Sequence, residues 1–238
     1  MKLKQFTSLL ALTCSILLST AQSHKVLVFT KTDGYRHKSI PHGVKALKKL
    51  GETNDFSVTH SEDATVFTDK NLGSYDAIVF LSTTENILNN KQQKVFKAYI
   101  NQGGGFVGIH AAADTEYDWP WYNKLVGAYF KSHPDQQTAT IKISDIKHPA
   151  TAHLNKTWEH FDEWYNFKNI STSLTVLATL DESSYKGGEN GVYHPISWCQ
   201  YYDGGKMFYT GLGHTIEAYK DPVFLQHLLG GIKYVLDK

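Results

Sequence analysis

The sequence predicts an α/β fold: a doubly wound, mostly parallel sheet with helices on both faces, plus an antiparallel hairpin in the C-terminal half. Three observations predict it. Short apolar runs alternate with helix-like segments as far as Ile109. The runs are continuous rather than alternating, as in strands buried on both faces. Near the end, Asp203-Gly204-Gly205 separates two strand-like runs with a turn signal. A β-α-β-α-β order with right-handed crossovers makes the first half a parallel sheet.

The elements follow in order. Lys25–Thr30 is the first strand, expected to be central. A helix comes next, with Pro41 in its first turn, Val44, Leu47 and Leu50 on one face, and Gly51 as its stop. Phe56–His60 and Tyr75–Leu81 are strands two and three. Asn89 or Asn90 caps a helix that buries Val95, Phe96, Tyr99 and Ile100 and ends at Gly103. The stretch Gly103-Gly104-Gly105-Phe106-Val107-Gly108-Ile109-His110 then reads as a strand running into a sharp turn. It resembles the elbow on which α/β enzymes mount a nucleophile, with histidine at the apex. Beyond it the pattern loosens. Asp118-Trp119-Pro120 starts a short helix ending at Gly127, and Thr138–Ile143 and Leu174–Leu180 read as strands. Pro195–Tyr202 and Lys206–Thr210 form the hairpin. Asp221 and Pro222 open a final helix through Phe224, Leu228, Ile232 and Val235. No repeat, linker or boundary divides residues 24–238, which read as one domain.

Residues 1–23 read as a signal peptide. Lys2 and Lys4 precede an apolar Phe6–Leu18, too short to span a bilayer, and cleavage is expected after Ala21 or Ser23. Export to the periplasm or the extracellular space follows. Cys14 lacks a good lipobox before it, so ordinary cleavage is expected over lipidation. Loss of Lys2 and Lys4 takes the charge from 24 basic against 23 acidic residues to 22 against 23. Such balance, with no basic run, argues against a nucleic-acid partner. No later apolar segment is long enough for membrane insertion. Only Cys199 remains after cleavage, so there is no internal disulfide, and it reads as a small buried hydrophobe. Of the 24 basic residues only Arg36 is arginine, which suggests a site needing a planar, permanently charged fork.

In an open parallel sheet, ligands bind beyond the carboxyl ends of the strands. Four segments fall there: Thr32–His37, Ser82–Glu85, His110–Asp114 and Gly211–His214. Several motifs together are highly specific. They are Tyr35-Arg36-His37-Lys38-Ser39-Ile40, Gly103–Ala112 with Asp114-Thr115, Trp119-Pro120-Trp121-Tyr122, His133-Pro134, Asp162-Glu163-Trp164-Tyr165, His194-Pro195-Ile196-Ser197-Trp198 and Phe208–Thr215. From Lys25 to Asp237 the chain resembles the ThuA-like, or trehalose-utilisation, family. Tyr35, where Phe is as common, is a mild departure.

The resemblance implies a flavodoxin-like fold similar to the class I glutamine amidotransferases. It places His110 where that superfamily carries cysteine and matches His214 to its later histidine. An imidazole lacks a thiolate's nucleophilicity, so glutaminase activity is not expected. Histidine at an elbow suits proton transfer or metal ligation. The family's association with sugar catabolism implies a small carbohydrate substrate, a glycoside or 3-keto-glycoside, cleaved or isomerised by acid–base chemistry. The expected catalytic residues are His110, His214, Asp114 and Glu163, with Asp114 one turn along a helix to orient His110. Expected substrate contacts are Tyr35, Arg36, His37, Thr84, Trp121, His133, Tyr165, His194 and Tyr209, and Trp119 and Trp164 are further stacking candidates. Arg36 and His37 are expected to border the same cleft as His110. A divalent metal such as zinc has candidate ligands in His110, His133, Glu163 and His214, with Asp114 and His194 also of the right type. Two other functions fit the same residues: a non-catalytic carbohydrate-binding protein, and an amide or ester hydrolase working through activated water.

Overall fold

The computed structural model describes residues 23–237. The expected signal peptide and Cys14 lie outside the described residues. Eleven strands and five α-helices follow in the order β1 (His24–Phe29), α1 (Ile40–Glu52), β2 (Phe56–Ser61), α2 (Asp69–Leu72), β3 (Ala77–Leu81), α3 (Asn90–Asn101), β4 (Gly105–Ile109), α4 (Pro120–Val126), β5 (Tyr129–Ser132), β6 (Gln137–Ile143), β7 (Thr157–Asp162), β8 (Asn166–Lys168), β9 (Thr175–Leu180), β10 (Pro195–Tyr202), β11 (Gly205–Thr210) and α5 (Pro222–Leu236). Nine strands form one sheet in the order β2-β1-β3-β4-β11-β10-β9-β6-β7, while β5 and β8 pair separately. Strands β2, β1, β3, β4 and β11 run parallel. The expected hairpin, β10–β11, is longer-reaching than the sequence suggested: β9, β6 and β7 extend it as an antiparallel wing.

The apolar runs explain the parallel half. Every residue of β3 and β4 is buried, because helices cover both faces. On one face α3 and α4 bring Phe96 and Tyr122 against Phe80 and Phe106. On the other, α1 and α5 pack over Leu81 and Phe208. Gly43 and Gly231 let the helices approach closely, since a β-carbon there would lie 2.9 Å from Leu81 and 2.2 Å from Phe208. Asn89 caps α3 with a full capping box through Gln92. Among the described residues no helix is long and apolar enough to cross a membrane.

Two expectations need correction. Strand β1 has neighbours on both sides but lies next to the sheet's edge, because β4 and β11 take the middle. Helix α1 runs through Gly51 to Glu52, where the Thr53 N–H caps the Gly51 and Leu50 carbonyls. The loops after β1, β3 and β4 are tied together at the carboxyl edge. The Asp33 N–H donates to the Thr84 carbonyl at 3.0 Å, and the Glu85 N–H to the Asp114 carbonyl at 2.7 Å. The antiparallel wing curls back to the same edge, bringing Asp162, at the end of β7, to the Gly213 N–H at 2.7 Å.

Candidate functional site

His110 ends β4 in the left-handed region, with φ of 51°, a conformation that costs a non-glycine residue of order 1–3 kcal/mol. The turn is tight because Gly108 leaves no room for a side chain: a β-carbon there would meet Tyr209 at 2.9 Å and Ala112 at 3.2 Å. The Tyr209 hydroxyl donates to the His110 carbonyl at 2.8 Å and pins the elbow from below. The ring is fully buried, and its Nδ1 lies 2.8 Å from the Gly211 carbonyl. That contact places the proton on Nδ1 and leaves Nε2 as an acceptor aimed at the carboxyl edge.

Three further side chains meet that nitrogen. His214 Nδ1 lies 3.2 Å from His110 Nε2. Glu163 Oε2 lies 3.0 Å from His214 Nδ1 and 3.5 Å from His110 Nε2. The His37 ring stands edge-on to both, its centroid 4.8 Å from that of His110 and 5.1 Å from that of His214. Glu163 extends the cluster outward, its Oε1 lying 3.2 Å from His133 Nδ1. Above this floor a pocket of about 420 Å³ opens, walled by Tyr35, Asp114, Phe130, His133, Gln136 and Tyr165. The Tyr165 ring lies over His110 with centroids 4.2 Å apart.

Electrostatics follow from burial and neighbours. Burial, then the rings of His110 and His214, hold His37 down to about 2, so it is neutral near pH 7. Burial alone would raise the Glu163 carboxyl, but the neighbouring imidazoles of His110 and His214 outweigh it and keep Glu163 well below the usual carboxylate range. Asp114 is pushed up by burial, against the opposing hydrogen bond from the Tyr117 hydroxyl. One donor atom from each of His37, His110, Glu163 and His214 lies within 4.8 Å of the others, so these four can hold a metal ion.

The sequence model of the family described as "ThuA: Trehalose utilisation" matches residues 25–235. The chain belongs to the ThuA family. This ThuA chain therefore has the class I glutamine amidotransferase-like fold. It is similar to a ThuA-like protein from Bacteroides uniformis, with 24% identity, a TM-score of 0.79, and coverage of 92% of this chain and 94% of the other. A ThuA-like protein from Parabacteroides merdae matches at 21% identity and a TM-score of 0.74, over 90% of each chain. A β-galactosidase from Bacillus circulans matches at 12% identity and a TM-score of 0.58, over 92% of this chain and 31% of that one. A comparison with curated proteins found no match.

Of the expected site residues, His37, His110, Glu163 and His214 meet at the floor, and Tyr35, Asp114, His133 and Tyr165 stand around the pocket. Others lie elsewhere. Arg36 turns away from the pocket, pairing with Glu62 at 2.6 Å and reaching the Thr30 carbonyl at 3.5 Å. Thr84 spends its hydroxyl inside the loops, accepting from the Gly34 N–H and donating to the Tyr35 carbonyl. Trp121 donates to Asp203 at 2.6 Å, at the opposite edge of the sheet. Trp119 stacks on Trp121, and Trp164 is core. His194 is buried between Glu182 and the Tyr165 carbonyl, 2.8 Å from each. Tyr209 lies beneath the elbow, stacked on Trp198.

Asp114 does not orient His110. Residues His110–Asp114 form a 3-10 turn rather than an α-helix, and the Asp114 carboxylate accepts from the Tyr117 hydroxyl. The orienting acceptor is the Gly211 carbonyl. Sequence reasoning missed Phe130 and Gln136 in the pocket wall, and Asp162 behind it. Asp162 stood in the Asp162-Glu163-Trp164-Tyr165 motif, which was the available signal.

Proposed function

We propose that this ThuA-family protein is an exported carbohydrate-processing enzyme that acts on a glycoside or 3-keto-glycoside by histidine acid–base chemistry. The observation that carries the reading is the meeting of His110 Nε2, His214 Nδ1 and Glu163 Oε2 within 3.0–3.5 Å at the floor of a pocket. A pocket that only binds sugars needs aromatic walls but no such buried cluster. The family's description, trehalose utilisation, supports a sugar substrate. So does the likeness in fold to part of a β-galactosidase, although the chemistry there is that protein's own.

A 3-keto-glycoside matches these residues chemically. The ketone acidifies the C–H at C2, and a basic imidazole takes that proton. The electron pair forms the C1–C2 double bond and expels the glycosidic oxygen, which takes a proton from a protonated group and leaves as an alcohol. His214 lines the pocket with the buried His110 3.2 Å behind it, and the pair suits the base and acid roles, with Glu163 beside both. Phe130, half-buried in the pocket wall, offers apolar ring surface for the sugar. Glutamine amidotransfer lacks its nucleophile here. Cys199 lies buried in β10, and burial raises its thiol.

Export rests on the first 23 residues, and β1 begins at His24, directly after the second cleavage option. The test is incubation with a panel of glycosides and their 3-keto derivatives, followed by product analysis. Turnover is expected with the keto derivatives. His110→Gln is expected to lower it roughly 10²- to 10⁴-fold with folding intact. Parental turnover in a well-folded His110→Gln protein would sink the acid–base reading.

A further inference from the structure

The three innermost donors are spaced like ligands of one small cation. His110 Nε2, His214 Nδ1 and Glu163 Oε2 are separated by 3.2, 3.0 and 3.5 Å. A tetrahedral ion with bonds of about 2.0–2.1 Å keeps its ligands roughly 3.3 Å apart. Proton counting points the same way. With its proton on Nδ1 toward Gly211, His110 offers the cluster only a lone pair. Glu163 offers only acceptors, and a neutral His214 has at most one N–H to share between them. Three electron-rich atoms packed this closely away from water favour a positive centre among them.

His37 supplies an independent observation. It is 4% exposed, and its Nδ1 is buried without a hydrogen-bond partner. Its ring is packed edge-on against both His110 and His214. Every other histidine considered near the pocket has a partner that occupies it. His194 is held by Glu182 and the Tyr165 carbonyl, and His133 by the Pro134 carbonyl and the outer oxygen of Glu163.

We propose that His37, His110, Glu163 and His214 bind one divalent transition-metal cation of the zinc class at the floor of this pocket. Three imidazoles and one carboxylate form a donor set suited to that class, and unsuited to calcium or magnesium, which take oxygen ligands. The Gly211 carbonyl on His110 is the kind of outer partner that fixes the tautomer of a metal-bound imidazole. His133 plays the corresponding part for Glu163. The ligand set differs from the one the sequence suggested: His37 enters it, and His133, Asp114 and His194 leave it. The site lies beneath a pocket open to small molecules, so an ion held there would be within reach of a ligand oxygen and would supply Lewis-acid chemistry to it.

A bound ion takes up the lone pairs of His110 and His214 that the proposed acid–base step uses, so the two readings compete for the same atoms. The metal test involves no sugar, and its outcome is independent of turnover. Tag-free full-chain protein is stripped with chelator, desalted, and titrated with Zn²⁺ and with Co²⁺. Metal content is read by mass spectrometry, and cobalt coordination by visible absorption. The expected result is close to one equivalent retained per folded chain, with the absorption of a four- or five-coordinate cobalt site. His37→Asn and His214→Asn are each expected to weaken zinc binding by more than the roughly 10-fold that loss of an outer partner costs, the effect expected of His133→Asn. Circular dichroism checks that each variant is folded, and Glu163→Gln, which keeps the side-chain shape, gives a second ligand test. The proposal is overturned if the folded parent retains no stoichiometric metal. It is equally overturned if folded His37→Asn and His214→Asn bind zinc with parental affinity.

Discussion

The Asp162 carboxylate is fully buried and accepts four backbone N–H groups: Glu163 at 3.0 Å, Gly213 at 2.7 Å, His214 at 3.1 Å and Thr215 at 3.2 Å. One side chain thus sets both the peptide that carries Glu163 and the loop that carries His214. Hydrogen bonds to a charged acceptor contribute more than neutral ones, and unpaired buried donors are costly. Asp162→Asn turns one acceptor atom into a donor facing N–H groups. The variant is expected to lose about 2–4 kcal/mol of stability in urea denaturation, and to lose turnover as His214 shifts. Unchanged stability would contradict this role. The motif around Asp162 singles it out but does not reveal this role, since three of its partners come from much later in the chain, at 213, 214 and 215. His110 was legible because glycines precede it and alanines follow. Arg36 was misread because the direction of a side chain on an irregular loop has no period to betray it.

At the scale of elements, α5 combines a packing role with a titrating one. Its His227 is fully enclosed, with Nδ1 2.8 Å from the Ala150 carbonyl. Burial holds the ring down to about 3, the Ala150 bond opposes this, and His153, His148 and His160 add to it. In the unfolded chain the ring titrates near 6.5. Between these values the unfolded state binds a proton that the folded state refuses. The stabilisation is therefore full above pH 6.5 and declines as pH falls, by at most about 1.4 kcal/mol per unit. Urea midpoints measured from pH 7 to pH 5 should fall, and His227→Gln should flatten that slope by close to one proton. A slope equal to the parent's would refute the assignment. Elements themselves were the most legible level, because continuous apolar runs, Asn89 and Pro222 mark β3, β4, α3 and α5 directly. The wing was the exception. Half-exposed β6 was legible from its alternation, but β7 was not, and the pairing of β6 with β9, Ile141 beside Leu180, joins strands far apart in the chain.

At the scale of the whole molecule, the pocket has no single owner: His37 follows β1, His110 follows β4, Glu163 follows β7 and His214 follows β11. The sequence could propose His110 and His214 as partners only through family resemblance, since contact between them requires the complete sheet. The start of the mature chain is testable at this scale. N-terminal sequencing of the protein released by an exporting bacterial host is expected to begin at Gln22 or His24, and a lipidated Cys14 would contradict it. The parallel pairing of β4 with β11, Phe106 beside Met207, has a kinetic consequence. Strands β1 to β4 can pair as soon as they are synthesised, but the centre of the sheet stays open along one side of β4 until the last thirty or so residues are available. Closing so long a loop is slow, and an unpaired β4 is a ready template for another chain. Truncation or stalling near the C-terminus would thus leave an aggregating half-sheet rather than a weakened protein, and the four site residues first meet only when β11 has closed the sheet.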